Sequence, residues 1–168
     1  MKKHYPKHLF RSVIYDIEAY TSRKWLVKEI VENQYPTTFH HAVLESQIRP
    51  KRQRIVVSNV YAPIFGIVDA DLLENNGFFK AGFVREPEIE QALTLSLTSH
   101  HTEYNILTPE VLNLSFASEA ELEYKLKQIG VERKEIELTL STIRCNQFDY
   151  RLFHGENIGY ELFNHWDD

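Results

Sequence analysis

The stretch SEAELEYKLKQIGVERKEIELTLSTIRCNQFDYRLFHGENIGYELF, residues 118–163, carries the clearest local grammar in the chain. Ser118 is a good N-cap, and Glu121 follows at the capping-box spacing, where serine and carboxylate each satisfy an orphan amide. Leu122, Leu126 and Ile129 then fall on one helical face. Glu121 with Lys125, and Glu123 with Lys127, are i,i+4 pairs in the favourable order. Gly130 supplies the left-handed residue that ends a helix. Ile136, Leu140 and Ile143 repeat the helical spacing. These residues predict two amphipathic helices, the second over about 132–145, joined at Gly130-Val131 with almost no loop.

The runs Asp149–Phe153 and Gly159–Phe163 are β-prone and flank a turn composition, so a hairpin is expected at about 150–163. Helix, tight turn, helix and hairpin together outline a winged helix-turn-helix, with a recognition helix and a wing. The plainer reading is an αα-hairpin and a β-hairpin packed as core. Charge weighs towards the plainer one. Glu132, Glu135 and Glu137 balance Arg133, Lys134 and Arg144, whereas a helix entering a major groove usually brings net positive charge. If the helix does dock, Arg133, Lys134 and Arg144 are its phosphate contacts.

Upstream, His8–Tyr15 is rich in β-branched and aromatic residues and reads as a strand ending at Asp16. Thr21 or Ser22 then caps a helix through Trp25 to about Asn33. The segment from Thr37 to Leu44 fits strand or helix. Ile55–Tyr61 is a strong strand after the loop Arg49–Arg54. Pro63 opens a short helix to about Leu73, Asn75-Asn76-Gly77 is a turn, and Phe78–Val84 reads as strand. Pro87 suits the first position of a helix, although Leu93–Leu97 alternates like a strand. Tyr104–Leu107 is short and β-like, and Thr108-Pro109-Glu110 starts a helical turn. The class is α+β, with a mixed sheet-and-helix part at 1–107 and a winged-helix-like part at 108–168.

Bulk composition bounds the function. With 168 residues, 43% hydrophobic and 26% charged, the chain is globular. The single Cys145 excludes an intrachain disulfide framework and a multi-cysteine zinc site, and suits a reducing cytoplasm. No apolar signal-peptide region follows the first methionine. The longest uncharged run, Ile55–Val68, is 14 residues, too short to span a bilayer. Residues 1–54 hold eleven Lys/Arg against five Asp/Glu, a balance of +6. Residues 55–168 hold eight against nineteen, or −11, and the two return the net −5. Such asymmetry hints at an interaction surface, either between the halves, between subunits of a homo-oligomer, or with a partner.

The basic cluster Arg49, Lys51, Arg52 and Arg54 sits on an adaptable loop beside a strand, as phosphate contacts require. Lys2, Lys3, Lys7 and Arg11 form a second group that would converge on it. The alternative is a solvated hairpin tip that protects an edge strand. Asp16 and Glu18, at the expected strand end, would share a face and offer carboxylates to Mg²⁺. Their Asp-x-Glu pattern resembles the first motif of proofreading-type exonucleases, which implies metal-dependent phosphodiester cleavage. Gly66-Ile-Val-Asp69-Ala-Asp71 resembles the signature helix end of the LAGLIDADG homing endonucleases, which implies an aspartate (here Asp69) holding metal at a helix foot. It departs from that signature at Phe65 and Leu72. The pairs His40-His41 and His100-His101 offer at most one imidazole each to a given site if they lie on strands. No Gly-x-Ser-x-Gly elbow and no glycine-rich phosphate loop is present.

The leading expectation is a small cytoplasmic nucleic-acid-binding protein without a cofactor. Arg49, Lys51, Arg52 and Arg54 are the main contacts, with Arg133, Lys134 and Arg144 secondary. One rival is a divalent-metal nuclease built on Asp16 and Glu18, with Asp69 or Asp71 as a further ligand. The other is an adaptor or inhibitor whose acidic C-terminal half meets a basic protein.

Overall fold

The computed structural model describes residues 7–32, 39–70, 82–150 and 158–163. Helix α1 (Lys7–Tyr20) precedes four strands, β1 (Trp25–Val31), β2 (Phe39–Ser46), β3 (Gln53–Asn59) and β4 (Ile64–Asp69). Helix α2 (Pro87–Ser99) leads to the short strand β5 (Asn105–Ile106). Among the described residues that follow there are four helices: α3 (Pro109–Leu112), α4 (Glu119–Gln128), α5 (Arg133–Tyr150) and α6 (Ile158–Leu162). The strands form one sheet in the order β1-β2-β3-β4-β5. The first four make an antiparallel meander, and β5 joins parallel to β4 after crossing over through α2. The fold is α+β, as the sequence predicts.

Both faces of the sheet are covered, because side chains alternate along each strand. One face presents Ala42, Leu44, Val56, Phe65 and Ile67 to Phe10, Val13, Ile14 and Ile17 of α1 and to Ile89, Ala92, Leu93 and Leu97 of α2. The other presents Phe39, Ile55, Val57, Ile64 and Val68 to Leu112, Leu122, Leu126, Ile136, Leu140, Ile143, Leu162 and Phe163. Asn59 Nδ2 donates to the Leu162 carbonyl at 2.7 Å and pins α6 to the end of β3.

Several elements differ from the sequence reading. His8–Tyr15 is helix rather than strand. Phe10, Val13, Ile14 and Ile17 fall at i, i+3, i+4 and i+7, and all are wholly buried. Their β-prone composition masked a helical period. The segment from Thr21 is strand rather than helix. Thr21 ends α1 instead of opening a new one: its hydroxyl donates to the Ile17 carbonyl at 2.7 Å. Ser22 and Arg23 then turn the chain with φ of 51° and 61°. A register shift between Val27 and Glu29 breaks the alternation of β1, which is why it does not read as a strand. Pro63 opens no helix, and Ile64–Asp69 is β4. That strand is buried on both faces, so it has no period to betray it. The segment 37–44 resolves as strand over Phe39–Ser46. Of 78–84, Gly82–Val84 lies against β4, with Val84 N donating to the Ile67 carbonyl at 2.9 Å, and the rest is outside the described residues.

The local signals at helix ends hold. Pro87 opens α2, and Thr108 caps α3 by accepting from Val111 N. Ser118 Oγ accepts from Glu121 N at 3.2 Å, while Glu121 reaches back to Ala117 N at 3.0 Å. Gly130 has φ of 84°, with Val131 N bonded to the Leu126 carbonyl and Gly130 N to that of Lys127. That is the Schellman closure. The wing is different. The first strand's Asp149 and Tyr150 belong to α5, and Ile158–Leu162, expected within the turn and second strand, is helix. Ile158 and Leu162 lie one helical turn apart and bury together in the core. Residues 151–157 lie outside the described residues.

Candidate nucleic-acid interface

The four cations of the basic loop lie where β2 turns into β3, at one end of the sheet. Ser46 N bonds to the Arg52 carbonyl at 2.8 Å and closes the loop, and Gln47 N bonds to the Lys24 carbonyl at 2.7 Å. The second bond ties the loop to the turn between α1 and β1. Arg23 and Lys24 are thereby brought to the same end, and Lys28 reaches it from β1, 3.6 Å from Glu45. Seven cations gather here: Arg23, Lys24, Lys28, Arg49, Lys51, Arg52 and Arg54.

Carboxylates hold some of them. Glu86, 5% exposed at the start of α2, accepts from Arg52 at 2.8 Å and from Arg54 at 3.1 Å. Arg54 also lies 3.5 Å from Asp69, and Lys51 3.8 Å from Glu45. The Arg52 guanidinium sits 5.5 Å over the Trp25 ring. Arg49 is exposed and has no ion-pair partner among the described residues. A hydrogen bond from Gln53, with Lys28 and Lys51 adding their charge, holds the Glu45 carboxyl below its ordinary pKa. Glu18 and Glu88 flank this end. Counting them with Glu45, Asp69 and Glu86, and adding the Arg85–Glu90 pair beside Glu86, eight positive charges face six negative ones among the described residues.

The other expected contacts do not join this cluster. Arg133 pairs with Glu137 along α5 at 3.1 Å. Arg144 makes a two-pronged bond to Glu119, both prongs 2.7 Å, and clamps α5 to α4. Lys134 lines a cleft with Glu103, Asn105, Glu132 and Glu135. That cleft adjoins β5, whose Asn105 pairs with the first residue of β4, whereas the basic loop adjoins the last. Arg11 also sits apart, bonded to Glu32 at 3.0 Å just past the far end of β1. The strand separates it from the loop by about 20 Å. The two basic groups therefore do not converge through Arg11, and Lys2 and Lys3 are outside the described residues.

The metal candidates are engaged as structure. On a helix, Asp16 and Glu18 project about 200° apart, so they do not share a face. Asp16 accepts from Ser96 Oγ of α2 at 2.7 Å, with His100 Nε2 at 3.4 Å. Glu18 accepts from Val27 N at 2.7 Å and covers the outer edge of β1. Asp69 ends a strand rather than a helix, so the homing-endonuclease likeness has no structural counterpart. Among the described residues, no three His, Cys, Asp or Glu side chains are grouped to hold a metal ion. His40 is buried against Phe10 at 5.3 Å, and burial lowers the pKa of His41 on the opposite face, against the pull of Glu29. Among the described residues no helix is long and apolar enough to cross a membrane.

Sequence reasoning missed Arg23, Lys24 and Glu86 as members of this surface. Thr21-Ser22 was legible as a helix cap, which hid a turn that exports two cations. Nothing local marks Glu86 as the partner of residues more than thirty positions away. Comparison of the chain with family models, with curated proteins and with solved structures gave no match.

Proposed function

We propose that the chain is a nucleic-acid-binding protein that grips phosphates at the β2–β3 end of its sheet. The observation that supports this is the gathering of Arg23, Lys24 and Lys28 around Arg49, Lys51, Arg52 and Arg54. These residues come from two stretches of chain, 23–28 and 49–54, and their positive charge exceeds that of the carboxylates beside them among the described residues. Arg52 and Arg54 serve as the anchored floor, held by Glu86. Arg23, Lys24 and Arg49 are exposed and make no ion pair among the described residues, and Lys51 is exposed beside Glu45, so all four can reach phosphate oxygens. Cations on a short, rigidly tied loop lose little entropy on binding.

The test is binding to labelled single- and double-stranded DNA and RNA over a salt series, with and without Mg²⁺. The comparison protein carries Arg23→Gln, Lys24→Gln, Arg49→Gln and Lys51→Gln, which spares the ion pairs to Glu86. The expected result is weaker binding and a salt slope shallower by up to about 3, roughly 0.7–0.9 for each lost contact. Equal affinity and slope in the two proteins would remove this surface from consideration. Strand cleavage that needs Mg²⁺ and vanishes in Asp16→Ala would instead favour the nuclease reading.

A second reading rests on a different observation. The cleft beside β5 is lined by Glu103, Glu132 and Glu135 against the single cation Lys134. It suits a lysine or arginine of a partner protein, as an adaptor or inhibitor would require. That reading predicts no nucleic-acid affinity at physiological salt.

A further inference from the structure

A groove adjoins the basic end and shares only Lys24 with the phosphate contacts. Tyr20, Thr21, Ser22 and Lys24 form one wall, and Glu88, Gln91 and Ala92 of α2 form the other. Lys24 belongs to both features, since its carbonyl holds the basic loop through Gln47. Tyr20 is 47% exposed, although the apolar residues one face over on the same helix are wholly buried. The wall ends in two non-glycine residues held in the left-handed region, Ser22 and Arg23. Backbone of that kind persists only where its surroundings over-determine it, and it is concentrated at binding sites.

We infer that this groove receives an unpaired base of single-stranded nucleic acid, and that the base carries an exocyclic amino group. The inference rests on the phosphate reading above and specifies the partner of that surface. An aromatic ring open to solvent beside cations is the arrangement by which proteins hold single strands. The ring stacks on a base while the cations neutralise its phosphates. Tyr20 is the ring here, and Lys24 and Arg23 are the neighbouring cations.

The opposite wall defines the edge that enters. The Glu88 carboxylate only accepts hydrogen bonds and repels a phosphate, so the base rather than the backbone faces it. Gln91 both donates and accepts. A matching base therefore presents a donor to Glu88 and an acceptor to Gln91. Adenine and cytosine do so through an amino group next to a ring nitrogen. Thymine and uracil offer their ring N3–H between two carbonyl oxygens, so that when one carbonyl meets Gln91 the other faces the carboxylate, which disfavours it. In a duplex these edges are already paired, so the groove selects single strands.

The experiment is fluorescence anisotropy at one low salt concentration with three labelled strands of equal length and charge: oligo(dA), oligo(dT) and an abasic strand. Native protein is expected to bind oligo(dA) about ten-fold more tightly than the abasic strand, the range of one stacked base. Tyr20→Ala should erase that difference, and Tyr20→Phe, which keeps the ring, should retain it. Glu88→Gln should narrow the gap between oligo(dA) and oligo(dT). Equal binding of oligo(dA) and the abasic strand by the native protein would overturn the inference and leave the phosphate reading standing. Equal binding of oligo(dA) and oligo(dT) would overturn the edge selection. Failure of all three strands to bind would overturn both readings. Tyr20 lies outside the core, so a thermal melt of Tyr20→Ala matching that of the native protein verifies that the variant is folded.

Discussion

Glu86 is the residue on which the basic end depends. Its carboxylate is buried, and two guanidinium groups converge on one of its oxygens. Removing it leaves Arg54, whose side chain is 14% exposed, with a charge that water cannot fully reach. Breaking one partner of a buried pair costs about 3–5 kcal/mol. Arg52 remains half in water, so we expect Glu86→Ala to cost nearer 2–3 kcal/mol in urea unfolding. A loss below about 0.5 kcal/mol would show that the pair is a surface contact in energetic terms. Gly66 makes a second residue-scale case. A methyl group there would meet Phe83 at 3.2 Å, Leu112 at 3.3 Å and Phe163 at 3.3 Å. All three are buried, so they cannot all yield at once, and Gly66→Ala should destabilise by about 1–2 kcal/mol. A Gly66→Ala protein as stable as the native one would mean that the rings move freely. Glu135 gives a pH test. Burial, reinforced by the charge of Glu132, raises its pKa above the ordinary 4.5. A carboxyl raised in the folded state holds its proton there more tightly than in the unfolded chain. Its stabilising share is complete below the unfolded value and is lost as pH rises through the folded one. Glu135→Gln should therefore be more stable than native protein near pH 7, and the gain should vanish at acid pH. A gain that persists unchanged at acid pH would point to packing instead. None of these three roles was legible in sequence, because each is defined by neighbours distant along the chain.

At the scale of elements, what was legible depended on whether the signal is local. Caps and stops are local. Thr108, Ser118, Gly130 and Pro87 act within four residues, and each does in the structure what its chemistry dictates. Strand and helix identity in the first seventy residues is not local in that sense. Phe10, Val13, Ile14 and Ile17 have strand-like side chains at helical spacing, and spacing wins because burial of one face outweighs intrinsic propensity. β1 has its period broken by a bulge, and β4 has no period because both its faces are covered. The terminal hairpin failed for the reverse reason: a short run with glycines and aromatics satisfied the strand pattern, while Ile158 and Leu162 satisfied a helical one. The cap supplies the element-scale prediction. Ser118→Ala leaves Glu121 N without its acceptor and should cost about 1 kcal/mol, read as a lowered unfolding midpoint. The Arg144–Glu119 clamp is exposed and its loss should cost less than about 1 kcal/mol. If the clamp variant proved the more damaging, α4 would be held mainly by α5 and not by its own end.

For the whole molecule, the organising fact is a sheet with a separate apolar core on each face. The core under α1 and α2 is complete within the first 107 residues. The opposite core is not: Phe39, Ile55, Val57, Ile64 and Val68 of the sheet, with Ala62, Phe83 and Leu107, are covered mainly by side chains from Val111 onwards. The charge asymmetry of the sequence maps onto these layers only in part. Seven cations gather at one end of the sheet, whereas α2, α4 and α5 together hold eight carboxylates and five cations, a small part of the acidic excess. The basic end and the C-terminal helices are thus parts of one body, and the sheet cannot present the first without the second to shield its other face. This makes a definite prediction about truncation. A protein ending at Leu107 would leave the apolar face of β2, β3 and β4 open, a contiguous patch of a kind that soluble monomers rarely expose. It should lose cooperative thermal unfolding or associate through that face, whereas the full chain should unfold in a single transition seen alike by tryptophan fluorescence and by helical circular dichroism. A truncated protein that stays monomeric and melts cooperatively at the native midpoint would show that the core under α1 and α2 suffices. The C-terminal helices would then be a lid on a finished domain, and the basic end could be assayed for nucleic-acid binding without them.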